Sequence, residues 1–342
     1  MMYENIRKLV SENLNNTVDR CWFGKNYQQI KELEAKGIIY TGKVRDSFPL
    51  QDGTRAIVAA DGASAFDVVA DRKIPFKGQV LNQISNHWFL KTNDFAPNHF
   101  IESPHPNVSI VEQCKPLAIE MIVRRYLTGS GWRDYESGKF EKKYGIKLPD
   151  GLKKNQKLPG SILTPTTKAP RGQHDEAITS QKAAELVGDK DVYSELCNTS
   201  LEMFEYGTKK MAEKDIIFVD TKYEFGWSEA EGLLIIDEVN TSDSSRLWRL
   251  STYEARWQTK EGPEAFDKEV LRQWQIQKGR DPNAGPEVQL VQLDDEITLE
   301  LAVGYVINFE SVTGKLPQPV SSEATSDIES ILLERGLVMP KA

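Results

Sequence analysis

An α+β fold in two lobes is the class this sequence predicts, and three stretches predict it. From Gly37 onward short β-type runs alternate with turns, IIYTGKVRDSF and RAIVAADG around a turn at 51–53, which is how antiparallel hairpins read. The string AIEMIVRRYL at 118–127 alternates as a strand does and ends in Thr128-Gly129-Ser130-Gly131, which must turn. Two further β runs, IIFVDTKYEF and GLLIIDEV, flank 226–231 as another hairpin and follow a helical pattern over 180–214. The first set makes an N-terminal lobe over 1–117, rich in antiparallel strands. The strand at 118 bridges into a C-terminal lobe over 118–342.

Ahead of the hairpins, 5–36 carries Ile6, Leu9, Val10 and Leu14, then Ile30 and Leu33, at helical spacing with a break at 22–24, so two amphipathic helices are expected. The stretch 149–179 holds Pro149, Pro159, Pro165 and Pro170 among many Gly, Thr and Lys. Proline lacks the N–H that a helix interior or central strand needs, and the stretch reads as one long loop. A loop of that length in a compact chain is either functional or disordered. Over 180–214, Val192, Leu196, Met203 and Met211 mark the buried stripe of a helix. Beyond 250, helices are expected at 265–277 and 294–312, then a Pro-rich break at 316–319 and a short amphipathic tail helix.

At 342 residues the chain has length for about two domains. Its longest purely aliphatic run, 233–236, is far short of the ~20 residues that a membrane span needs. The start MMYENIRKLVSENLNN shows neither an apolar h-region nor a small-residue cleavage site. A cytoplasmic protein that does not engage membranes is expected. Cys21, Cys114 and Cys197 are odd in number and widely spaced, which suits core thiols rather than zinc ligands or a disulfide framework. A net charge of −8 supplies no global cationic field for nucleic acid. Small molecules are the expected partners, and any phosphate must be met by a few basic residues placed locally.

Four places could carry chemistry. Gly37-Ile38-Ile39-Tyr40-Thr41-Gly42-Lys43 satisfies G-x-x-x-x-G-K but is followed by Val44, where a phosphate loop needs Ser or Thr for magnesium. Its Ile38, Ile39 and Tyr40 prefer an extended strand. Lys43 and Arg45 then share one face of a β run, which suits either cations leaning over phosphates or a solvated edge strand. In 216–225 the alternate positions Ile216, Phe218, Asp220, Lys222 and Glu224 turn an apolar half-strand into a polar stripe, and Asp237 ends the row of Leu233 and Ile235 on the next strand. Carboxylates are seldom buried without partners. These read either as oxygen ligands for a Mg²⁺ that also holds phosphates, or as a structural salt bridge among Asp220, Lys222 and Glu224. Arg124, Arg125 and Arg246 offer planar forks for phosphate or carboxylate, the last beside Ser244 and Ser245. Finally, TPTTKAPRGQHDEAIT gathers Lys168, Arg171, His174, Asp175 and Glu176, as either a lid over an anionic substrate or a disordered surface loop.

Taken together these strings resemble the phosphoribosylaminoimidazole-succinocarboxamide synthase (SAICAR synthetase) family. The resemblance spans about 40–248. Its most specific parts are LAIEMIVRRYLTGS at 117–130 and VDTKYEFG at 219–226, with support from GKVRDSF, DGASAFD, FKGQVLNQIS, TPTTKAPRGQHDE and IIDEVNTSDSSRLW. Ser242 stands where many relatives have proline, and 250–300 and the tail after Pro317 are poorly covered.

The resemblance implies a two-lobed SAICAR synthetase-like fold related to ATP-grasp enzymes and protein kinases, with an ATP cleft between antiparallel sheets. It implies that Lys43, Val44 and Arg45 face the ATP phosphates and that the main chain of Glu120, Met121 and Ile122 reads the adenine edge. Glu224 and Asp237 would hold Mg²⁺, with Lys222 close by. Arg124, Ser130 and Arg246 would meet the phosphate of an imidazole ribotide, Ser64 and Asp67 would border that substrate, and Lys168, His174, Asp175 and Glu176 would form the aspartate side. The implied reaction joins the carboxylate of carboxyaminoimidazole ribotide (CAIR) to the amine of L-aspartate through an acyl phosphate. Lys43 and Lys222 are then the expected catalytic cations, and Asp220 is the position considered for the base that deprotonates the amine. A monomer or homodimer is expected. Two other functions stay open: a small-molecule kinase, although no HRD loop is present and Glu238-Val239 follows Asp237 where a kinase has Phe-Gly, and a non-catalytic nucleotide-binding protein.

Overall fold

The computed structural model describes residues 2–19, 39–42, 44–66, 68–169, 175–266, 268–281, 284–285, 287–321 and 323–337. Cys21, Lys43, Asp67, Arg171 and His174, with the second N-terminal helix expected by 36, lie outside the described residues. The chain divides into two compact units. Unit 1 joins Met1–Leu90, His99–Gln113 and Phe266–Ala342, and unit 2 joins Lys91–Asn98 and Cys114–Ala265. The C-terminal stretch thus returns to the N-terminal unit instead of completing a lobe over 118–342.

Unit 1 is built on a five-stranded antiparallel sheet in the order β1-β2-β3-β7-β6, from β1 (Tyr40–Thr41), β2 (Arg45–Pro49), β3 (Arg55–Ala59), β6 (Phe100–His105) and β7 (Val108–Val111). Strand period two explains which residues it buries: in β2, Asp46 and Phe48 are buried while Arg45, Ser47 and Pro49 are half-buried. Phe48, Val58 and Ile110 form a core with Ile328 and Leu332 of a C-terminal helix, Ala324–Glu334. These residues sit four apart on that helix, so one apolar stripe covers the sheet. That packing is why the tail belongs to unit 1. A second helix of this stretch, Asp295–Thr313, packs against the first helix, Met2–Glu12, with an Arg7–Glu300 ion pair across the contact.

Within the DGASAFD segment β4 (Ser64–Ala65) pairs antiparallel with β5 (Val68–Val69), which lies just beyond it. Asp61 anchors its start: Oδ2 accepts from Val18 N at 2.7 Å and Oδ1 from Gly78 N at 2.7 Å, both buried.

Unit 2 is built on two long strands, β8 (Lys115–Leu127) and β11 (Ile216–Ser228), with β9 (Gln156–Leu163), β10 (Thr166–Thr167), β12 (Gly232–Ile236) and β13 (Ser245–Arg249); the antiparallel order is β10-β8-β11-β12, β9 also pairs β8, and β13 pairs β11. The expected loop at 149–179 holds strands β9 (Gln156–Leu163) and β10 (Thr166–Thr167) instead. Pro159 is tolerated because it lies exposed in a strand that pairs only β8, where no second neighbour needs its N–H. The helical pattern at 180–214 is two helices, Ser180–Val187 and Lys190–Ala212. Gly188, at φ +80°, ends the first, and the Asp189 carboxylate caps the second by accepting from Asp191 N and Val192 N. In the longer helix Tyr193, Leu196, Ser200, Met203, Phe204, Gly207 and Met211 are buried, while Val192 is only half-buried. A further helix, Leu250–Gln258, follows β13 where the sequence reading expected none. None of the described helices is long and apolar enough to cross a membrane.

Strand β11 does not keep strict alternation. Its pairing with β13 shifts register between Phe218 and Asp220. Phe218 stacks on Phe204 of the Lys190–Ala212 helix with ring centroids 4.6 Å apart, whereas Ile217 and Val219 join Tyr126 and Trp248. The polar stripe therefore begins at Asp220 and does not continue the line of Phe218.

Burial pushes the Asp61 carboxyl up from its ordinary 3.8 to about 7, against the Val18 and Gly78 amides and the charges of Lys77 and Lys73. The folded value lies above the unfolded one, so the unfolded chain releases this proton first and stability falls as pH rises from about 4 to about 7. Denaturant midpoints across that range should show the fall in the wild-type chain and lack it in Asp61→Asn, which does not titrate. Parallel curves would refute the assignment.

Candidate functional site

The register of β8 against β11 sets Arg124 opposite Asp220, Ile122 opposite Lys222 and Glu120 opposite Glu224. On the other edge of β11, β13 (Ser245–Arg249) sets Arg246 opposite Asp220 as well. Paired residues on antiparallel strands bring their side chains together, so one acid is flanked by two arginines. Arg124 Nη1 donates to Asp220 Oδ2 at 3.1 Å and Arg246 Nη1 donates to the same oxygen at 2.7 Å. The rest of the Arg124 fork donates to Thr164 Oγ1 through Nε at 2.8 Å and to Ser130 Oγ through Nη2 at 3.1 Å. Arg124 is 3% and Asp220 4% exposed, while Arg246 is half-buried.

The turn after β8 must be glycine for this cradle to form. Gly129 lies at φ +56°, and a Cβ there would fall 2.5 Å from Arg246 Nη2. Arg125, one residue on, points to the opposite face of the strand, toward Ser161 and Glu205.

A second charged cluster sits further along the same strands. Lys222 Nζ donates to Glu120 Oε1 at 2.7 Å and to Glu224 Oε1; Lys168 Nζ donates to Glu224 Oε2, and Thr166 Oγ1 to Glu120 Oε2 at 3.2 Å. Burial alone would push the Glu224 carboxyl up, but the ammoniums of Lys222 and Lys168 outweigh it and hold it down at about 2. Glu120 goes the other way: burial, with the Glu224 charge adding to it, raises it despite Lys222. For both lysines burial is opposed by Glu224 and by Asp237, and each is raised above its ordinary value. Asp237 is therefore close enough for its charge to be felt at Lys168 and Lys222. It sits at φ +66° just past β12 (Gly232–Ile236), a left-handed turn that Asp accepts more readily than most residues.

Glu224, held ionised, and Asp237, whose charge reaches the same two lysines, are the carboxylates available to a Mg²⁺ that keeps several waters and takes substrate phosphates as its other ligands. No group of three or more His, Cys, Asp or Glu that could hold a metal occurs among the described residues. A donor set of this kind suits a metal that works with a phosphate-bearing substrate rather than a permanently caged one.

Other expected site residues fall as follows. Val44, Arg45 and Ser64 belong to unit 1: Val44 O accepts from Ala60 N at 3.1 Å, Arg45 opens β2, and Ser64 is buried at the start of β4. Asp175 Oδ1 accepts from Ala169 N at 2.7 Å, and Glu176 N donates to Thr167 Oγ1 at 3.0 Å, so both fasten the chain beyond β10. Lys43, Asp67 and His174 lie outside the described residues. Glu120, Met121 and Ile122, expected to read the adenine edge through their main chain, pair with β11 in register, and Ile122 O accepts from Thr164 N at 2.8 Å. The Glu120 side chain belongs to the charged cluster. Thr164, Thr166 and Gly129 are site residues that sequence reasoning missed, since the contacts of each reach across strands distant in the chain.

Glu224 adds stability above its ordinary pKa of 4.5, and that stability is lost as pH falls from there toward about 2. In Lys222→Met the Glu224 carboxyl should titrate clearly above its wild-type value when followed by carbon NMR. An unchanged titration would assign the depression to Lys168 alone.

The SAICAR synthetase family pattern matches residues 38–286. Among curated relatives, the phosphoribosylaminoimidazole-succinocarboxamide synthase of Cytophaga hutchinsonii is 41% identical over 286 residues, covering 83% of this chain and 90% of its own. That of Flavobacterium psychrophilum is 37% identical over 299 residues, covering 86% and 93%. Among solved structures, the SAICAR synthase of Saccharomyces cerevisiae complexed with SAICAR superposes with a TM-score of 0.70 at 32% identity, covering 82% of this chain and 97% of that one. A SAICAR synthetase in complex with ADP gives 0.62 at 25% identity, covering 82% and 99%. With most of the sequence and most of the fold matched, this chain belongs to the SAICAR synthetase family.

Proposed function

We propose that this protein is the ATP-dependent ligase that joins the carboxylate of CAIR to the amine of L-aspartate, giving SAICAR, ADP and phosphate in purine biosynthesis. One observation carries the reading beyond family membership. The β8–β11 pair bears two charge centres, Arg124–Asp220–Arg246 and Glu120–Lys222–Glu224. Asp220 and Glu224 are four residues apart on one strand, which at ~3.3 Å per residue is ~13 Å. That spacing suits a substrate with a phosphate at one end and, at the other, a carboxylate to be activated by a nucleotide.

A carboxylate resists an amine because its charge and resonance repel the nucleophile. In the proposed reaction a CAIR carboxylate oxygen bonds to the γ-phosphorus of ATP and ADP departs, leaving an acyl phosphate. The neutral amine of aspartate then attacks the acyl carbon, inorganic phosphate leaves, and the nitrogen loses a proton. Catalysis of such a transfer rests on positioning and on electrostatic stabilisation. Arg124, Ser130 and Arg246 grip the ribotide phosphate, and Lys222 and Lys168 hold positive charge where the transferring oxygens gather. Glu224 and Asp237 are the residues that would hold Mg²⁺, which offsets phosphate charge. Lys43, Val44 and Arg45 are assigned to the nucleotide phosphates, Ser64 and Asp67 to the ribotide border, and His174, Asp175 and Glu176 to the aspartate side. Kinship with ATP-grasp enzymes and protein kinases, and a cytoplasmic location, belong to the same proposal.

The test is a coupled assay with CAIR, aspartate and Mg·ATP that follows the succinocarboxamide chromophore. ADP release should require both other substrates, and Asp237→Asn should abolish it while circular dichroism stays native. Arg246→Ala should raise the CAIR KM far more than the ATP KM, by roughly ten- to a hundredfold for one charge-assisted contact. A phosphorylated, amide-free product would overturn the ligase assignment, as would nucleotide binding without turnover.

A further inference from the structure

We infer that Asp220 is a positioning residue that sets the spacing of the two arginines meeting the ribotide phosphate, rather than the base that takes a proton from the aspartate amine. The inference rests on the ligase reading above and deepens it. Two guanidiniums brought to one place repel, and burial strengthens the repulsion because little water is left to screen it. Here a single carboxylate oxygen, Asp220 Oδ2, accepts from both, at 3.1 Å from Arg124 and 2.7 Å from Arg246. The acid therefore does what a bound phosphate does only once it arrives: it holds the two forks in one place.

The rest of the surroundings leave these forks little freedom. Thr164 Oγ1 and Ser130 Oγ accept from two further nitrogens of Arg124, fixing the plane of its guanidinium. Arg246 packs close against the Gly129 backbone, where a Cβ would fall 2.5 Å from its Nη2. With one acid and two arginines the triad keeps a formal surplus of one positive charge, the sign a phosphate monoester requires. An acid pinned between two guanidiniums, 4% exposed, is poorly placed to reach an attacking amine. A cradle organised before binding lowers the ordering cost of binding, so the effect of Asp220 should appear in affinity for the ribotide more than in the chemical step.

The experiment compares the full wild-type chain with Asp220→Asn, Asp220→Glu, Arg246→Ala and the Asp220→Asn/Arg246→Ala double variant, varying CAIR and ATP separately and recording kcat against pH. Binding of ribose 5-phosphate, measured by calorimetry, serves as a probe that needs no turnover. Asp220→Asn should raise the CAIR KM and weaken ribose 5-phosphate by roughly ten- to a hundredfold. The ATP KM and the limbs of the kcat–pH profile should stay where they are. The double variant should be no worse for CAIR than the worse single one, since Asp220 acts through the arginines. Should Asp220→Asn fail to fold, Asp220→Glu keeps the charge but displaces it by one methylene, and it should weaken both ligands in the same sense. An unchanged CAIR KM in a folded variant, fully additive effects, or loss of one pH limb in Asp220→Asn would overturn the inference. A wild-type chain that binds ribose 5-phosphate in an Asp220-dependent way yet never turns over the three substrates would instead sink the ligase reading and leave this one standing.

Discussion

The pairing register of β8 with β11 is the constraint on which the candidate site depends. A slip of one residue would turn every side chain of one strand to the opposite face. Arg124 would then no longer meet Asp220, and Lys222 would leave its place between Glu120 and Glu224. Length helps hold the register, since both strands run for 13 residues, and so does the chemistry of the pairs. Charges of opposite sign stand directly across from one another at Arg124 and Asp220, and Lys222 reaches to an acid on either strand. The interactions that define the site also select the fold that carries it.

Electrostatic balance along the sheet is graded rather than neutral. At one end two arginines share one acid; at the other two lysines serve Glu224, with Glu120 and Asp237 nearby. Buried ion pairs of this kind add little net stability, because desolvation consumes much of the attraction. Their value lies in fixing geometry. A chain with a net charge of −8 thus gathers these cations beside acids, by local pairing.

Much of this was legible in the sequence. AIEMIVRRYL and IIFVDTKYEF announce strands by alternation, and their charged residues are the ones that meet in the structure. The partner of each strand was not legible: Arg124 and Asp220 are 96 residues apart, and local pattern carries no information about pairing at that range. Alternation itself failed at the bulge between Phe218 and Asp220, because one unpaired residue shifts the faces of all that follow. The prolines of 149–179 concealed β9, since a strand bonded on one edge only can absorb a missing N–H.

The return of the chain to unit 1 at Phe266 bears on how the molecule is made. During synthesis the residues of unit 2 emerge as one nearly continuous block, from Cys114 to Ala265, and have all their strands before the last quarter of the chain leaves the ribosome. Unit 1 must wait. Phe48, Val58 and Ile110 lie under Ile328 and Leu332, which are translated near the end, so the first-made sheet spends most of translation with an uncovered greasy face. Nascent chains stalled or truncated before that helix would present this face to chaperones and to one another.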